Sequence, residues 1–99
     1  MEKDTYITIL YDIYSSLLTE QQREYFEEYY FNNYSLKEIS ENNNVTRSAI
    51  HKHIKLIDKK LEEFESKLHL YEKSKKLDEI INEIKDKNLI DKLIEINKI

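Results

Sequence analysis

The stretch NNNVTRSAIHKHIK, residues Asn42 to Lys55, decides how this chain folds. Its three asparagines make poor helix, because their side chains compete with the backbone for hydrogen bonds. Thr46 then offers an N-cap hydroxyl, and Ile50 and Ile54 open an apolar stripe at helical spacing. On the N-terminal side, Ser35 is followed three residues later by Glu38, the reciprocal pattern of a capping box, with Leu36 and Ile39 placed to face inward. Ser35 to Ile54 therefore reads as helix, short turn, helix.

Working outward toward the C-terminus, Ile50, Ile54, Ile57, Leu61, Phe64, Leu68 and Tyr71 alternate in steps of four and three. That heptad stripe predicts one helix of roughly 28 residues, ~40 Å long. It fits either a dimer seam or a core helix packed on its own chain. The tail, KLDEIINEIKDKNLIDKLIEINKI, adds one or two amphipathic helices through Leu77, Ile80, Ile81 and Ile84, then Leu89, Ile90, Leu93 and Ile94, with Asn88 as the expected break.

Toward the N-terminus, Tyr6, Ile9, Leu10, Ile13, Tyr14 and Leu17 form the expected inner face of a first helix, from about residue 3 to 18. Thr19 with Gln22 closes another capping box. The second helix presents Tyr25, Phe26, Tyr29 and Tyr30 and stops at Asn32-Asn33, residues that tolerate left-handed backbone. Six rings between Tyr25 and Tyr34 cannot all point one way. Some line the core, and the others cover a further surface or form a protein-binding patch.

Neither glycine nor proline occurs, so left-handed corners fall to other residues and no helix is interrupted. The fold class is all-α: a helix-turn-helix domain running into a long helix and C-terminal amphipathic helices. The chain reads as one domain, 1–99, with the helix-turn-helix at about 35–55 and the long helix and tail at about 46–99. Without cysteine there is no disulfide or thiol chemistry. No apolar run approaches the ~20 residues that span a bilayer, and the N-terminus starts acidic, so no membrane association and no secretory signal are expected. The expected location is the cytoplasm.

The formal net charge is −4, yet it is unevenly spread. Residues 1–34 carry −5, residues 35–60 carry +3, and residues 61–99 carry −2. The only basic segment contains the opening stretch, as a DNA-reading element requires. On a helical wheel, Ser48, His51, Lys52, Lys55 and Lys59 fall opposite Ile54 and Ile57, with Arg47 at the edge. The start of a second helix meets base edges and its continuation meets phosphates. Thr46, Arg47, Ser48, His51 and Lys52 are then candidate base contacts, Arg47 suiting a guanine, while Lys55 and Lys59 would hold the backbone. A lysine-rich exposed face with no partner is the plainer reading of the same residues.

No catalytic arrangement is legible: no phosphate loop, no nucleophile with its base, and no cofactor motif. His51 and His53 diverge on one helix and cannot share a metal. An enzyme is not expected, nor a cofactor or metal.

Leu17 to Lys55 resembles the sigma-factor domain that reads the upstream promoter element, through Leu18-Thr19, Gln22-Arg23-Glu24, Ser35 with Glu38-Ile39, and Val45-Thr46-Arg47 with Ile50. With LLTEQQREYFEEYY, SLKEIS, VTRSAIHKHIK and EEFESKLHLYEK in this order, the chain also resembles the YlxM-type family of small bacterial helix-turn-helix proteins. That resemblance implies a DNA-binding regulator of double-stranded DNA, acting in or on the signal recognition particle pathway, with that pathway's components as partners. Against the usual motif, Asn44 stands at the glycine position, Ser40 at the alanine position, and Asn43 where an aliphatic residue packs. Either Asn43 is exposed because the third helix ends early, or the two helices dock loosely.

Two functions remain open on the sequence: a DNA-binding regulatory protein, or a helical adaptor that binds protein partners and not DNA. A homodimer through the long helix or the tail is expected in either case.

Overall fold

A computed structural model describes residues 1–98 and contains six α-helices. They are α1 (Lys3–Tyr14), α2 (Glu20–Tyr30), α3 (Leu36–Asn43), α4 (Arg47–Leu68), α5 (Leu70–Ile81) and α6 (Lys87–Asn97). No strand occurs among the described residues. The chain divides into two compact units, Met1–Lys67 and Leu68–Ile99.

In the first unit, the corners are set by local chemistry. Thr19 Oγ1 accepts from the Gln22 amide at 3.2 Å, while Gln22 Oε1 accepts from the Thr19 amide at 2.9 Å. Ser35 and Glu38 repeat the exchange at 3.1 Å in both directions. Each box satisfies two amides that a helix start otherwise leaves without partners, a contribution of about 1 kcal/mol apiece. Arg23 donates to the Leu18 carbonyl at 2.6 Å, holding the chain where α1 gives way to α2.

The core of the first unit consists of Ile7, Leu10, Tyr11, Tyr14, Leu18, Tyr25, Phe26, Ile39, Ile50, Ile54, Ile57 and Leu61. Tyr11 stacks on Phe26 with ring centroids 4.2 Å apart and planes 4° from parallel. The inner face of α1 differs from the expected one. Ile7 and Tyr11 are buried where Tyr6, Ile9 and Ile13 were expected, and Leu17 is 55% exposed while Leu18 is buried. Both stripes have helical spacing and share Leu10 and Tyr14. The tight 3₁₀ turn at Ser15–Leu17 swings Leu17 outward and brings Leu18 in.

The long helix is also shorter than its stripe predicts: α4 has 22 residues and ends at Leu68, where His69 adopts left-handed backbone (φ 54°). Left-handed backbone is uncommon outside glycine, and the enrichment of histidine there is too weak a stop signal to read from sequence. Ile50, Ile54, Ile57 and Leu61 are buried within one chain, so this half of the stripe is an internal core. Phe64 is half-buried and still meets Tyr14, ring centroids 5.8 Å apart, but beyond it the stripe fails: Glu65 is buried and accepts the Tyr14 hydroxyl at 2.6 Å, whereas Leu68 is 44% exposed.

In the second unit, Asp86 caps α6, its Oδ1 accepting from the Asn88 and Leu89 amides at 3.0 and 3.2 Å. The break expected at Asn88 therefore falls just before it, since a capping carboxylate is a stronger signal than an asparagine inside the first turn. Asn97 Nδ2 returns to α5, donating to Asp78 Oδ1 at 3.0 Å. Leu70, Ile80, Leu89, Ile94 and Ile96 are exposed.

Candidate nucleic-acid interface

The link between α3 and α4 is built from three residues. Asn44 takes left-handed backbone (φ 55°, ψ 41°), and its amide and that of Val45 both donate to the Ser40 carbonyl, closing α3. Asparagine is the least costly substitute for glycine there, because its short polar side chain tolerates the left-handed well. Thr46 then starts α4, its Oγ1 accepting from the Ala49 amide at 3.1 Å. Ser40 is buried and small, and its hydroxyl is satisfied by the Lys37 carbonyl at 2.6 Å.

Asn43 answers the question raised by its position. It lies inside α3, half-buried, with Nδ2 donating to the Ile39 carbonyl at 2.8 Å and to Glu28 Oε2 of α2 at 3.5 Å. An amide thus occupies an apolar packing site without leaving its donors empty, which is what keeps a buried polar group from costing stability.

Thr46, Arg47, Ser48, His51, Lys52, Lys55 and Lys59 are all exposed. Ile50, Ile54 and Ile57 anchor the other side of the same helix. His53 leaves the exposed face and packs its ring on Tyr25, centroids 5.2 Å apart. A shallow depression is lined by Leu36, Arg47, Ser48 and His51, so the start of α3 borders the predicted base-reading end of α4. Leu36 was expected to face inward and is half-buried at the rim of that depression. Lys37, exposed in the first turn of α3, is a cation that the wheel of α4 alone could not identify. The capping pair Ser35 and Glu38 was the signal that could have placed it.

No acid lies in the first turn of α4. Helix starts ordinarily favour acids, because the aligned peptide dipoles leave partial positive charge there. Here the dipole and Arg47 carry the same sign, which makes this end attractive to anions.

This geometry defines a helix-turn-helix protein. The chain belongs to the family UPF0122, described as "Putative helix-turn-helix protein, YlxM / p13 like", whose model matches residues 1–99. A UPF0122 protein of Malacoplasma penetrans is 47% identical over 89 residues, covering 90% of this chain and 83% of that protein. One from Geobacillus is 42% identical over 86 residues, 87% of this chain and 78% of the other. A third, from Lactococcus lactis subsp. cremoris, is 38% identical over 104 residues, 100% of this chain and 94% of its own.

Proposed function

We propose that this chain is a regulatory protein that binds double-stranded DNA through the exposed face of α4 and acts in the signal recognition particle pathway. The observation that carries the DNA reading is the two-sided character of that helix: Arg47, Lys52, Lys55 and Lys59 are exposed and its isoleucines are buried. Arg47, Ser48, His51 and Lys52 meet base edges. The hydroxyl of Thr46 is engaged in its cap, so this residue offers its methyl to a thymine. Lys55 and Lys59 meet phosphates and fix the register. The protein works by binding rather than by catalysis, in the cytoplasm, and the pathway is the one the family resemblance implies.

Fluorescence anisotropy of the intact chain on genomic duplexes tests this. Affinity should fall steeply as salt rises. Arg47→Ala should lower the ratio of preferred to random sequence, whereas Lys55→Ala should weaken all sequences alike and reduce the salt slope by about one. Absence of binding to every fragment at ~50 mM salt would remove the basis of the reading.

A second reading, a helical adaptor for protein partners, is favoured by the −5 charge of residues 1–34, which repels nucleic acid. Capture from cell extract that survives nuclease treatment would support the adaptor. Capture that nuclease abolishes would support the regulator. In both readings the chain pairs with a second copy through exposed apolar residues of α6, including Leu89 and Ile96.

A further inference from the structure

None of the residues assigned to DNA contributes to the open hollow of about 440 Å³ between the start of α1 and the end of α2. Tyr29, Tyr30 and Tyr34 form its aromatic wall, with Asp4 and Asn33 at its margin. Tyr29 and Tyr30 meet edge to face, centroids 4.9 Å apart and planes at 85°, so their faces are turned in different directions. The Tyr30 hydroxyl donates to Asp58 Oδ2 at 2.7 Å, which puts a second carboxylate at the hydroxyl edge of that ring. Asp58 Oδ1 is buried and has no hydrogen-bond partner. Lys3 offsets part of the Asp58 charge, while Asp4 adds to it. Among the described residues Asp4 itself enters no ion pair.

Ring faces carry negative potential, and a carboxylate beside them reinforces it. A planar guanidinium can lie on one ring while its N–H groups reach an acid or an amide oxygen at the edge. We propose that this hollow receives an arginine side chain presented by a basic segment of a partner protein. The surrounding residues, 1–34, carry a net charge of −5, which attracts such a segment. The same field repels nucleic acid, and it repels the carboxylate of a free amino acid. An arginine within a peptide has no such carboxylate. The inference does not depend on DNA binding by α4.

The test is an NMR titration of the intact chain that follows the ring resonances of Tyr29 and Tyr34. The probe is a short capped peptide with one arginine among serines and glycines, compared with the same peptide carrying uncharged citrulline. The arginine peptide should produce saturable shifts and the citrulline peptide none. Asp4→Asn and Tyr34→Ala should each weaken binding roughly two- to five-fold. Both positions are exposed, and Asp4→Asn removes charge without removing a hydrogen bond of the fold. Asp12→Asn, an exposed acid on the same helix but outside the hollow, should leave the titration unchanged. Equal shifts with citrulline, or equal weakening by Asp12→Asn, would overturn the site. Tighter binding of free arginine than of the peptide would overturn the protein-partner assignment.

Discussion

Arg47 stands at the end of α4 where a positive side chain is least favourable to the helix. Arg47→Glu separates stability from recognition. Replacing the cation by an anion should raise the free energy of unfolding by about 0.5–1 kcal/mol, read by urea denaturation. The same change should abolish duplex binding, read by anisotropy. If binding survived, base contact by this residue would be untenable. Asp58 gives the complementary case for pH. Burial pushes its carboxyl above the ordinary value of 3.8, although the Tyr30 hydroxyl and Lys3 oppose that. A raised acid binds its proton more readily folded than unfolded, so stability present below the ordinary value is lost as pH rises through the folded value, and the penalty is constant above it. Asp58→Asn keeps an oxygen for Tyr30 and should melt at a higher temperature than the parent at neutral pH. That advantage should vanish near pH 3, where both chains are uncharged at this site. The exposed face of α4 was legible in the sequence because a wheel places residues by number alone. Burial of Glu65 was not legible, because its partner Tyr14 lies 51 positions away in the chain.

Elements owe their ends to short-range signals, and these were the most readable part of the molecule. Thr19 with Gln22, Ser35 with Glu38, and Thr46 each announce a helix within four residues of sequence, and each makes the expected bond. Helix ends without such a signal were misplaced. His69 stops α4 by backbone conformation alone, and the 3₁₀ turn after α1 exchanges Leu17 for Leu18. Asn44 marks the middle ground, since its residue type permits a left-handed corner and the structure uses it. Asn44→Gly should stabilise the first unit by up to about 1 kcal/mol, because glycine enters that well without steric cost. Chemical denaturation measures the gain. A loss would mean that the asparagine side chain contributes more than its conformation costs.

At the scale of the whole molecule, the all-α class follows from composition and period, since a chain without glycine, proline or alternating strands has little else to form. How apolar surface is shared was harder to read. A heptad stripe looks alike whether it meets its own chain or another. Here its buried half serves the chain itself, while Leu89, Ile94 and Ile96 of α6 stay exposed, and the proposed pairing with a second copy would cover them. Leu89→Glu combined with Ile96→Glu should convert a dimer to a monomer in sedimentation while helical content is preserved, because both side chains already face solvent. Unchanged sedimentation would place the seam elsewhere.

The corners at Asn33, Asn44 and His69 have one more consequence. Each takes left-handed backbone on an ordinary secondary amide, and the sequence holds no imide bond anywhere. Refolding therefore has no prolyl isomerisation to wait for, a step that holds many chains back for tens of seconds. Nascent copies can reach the native state without a peptidyl-prolyl catalyst.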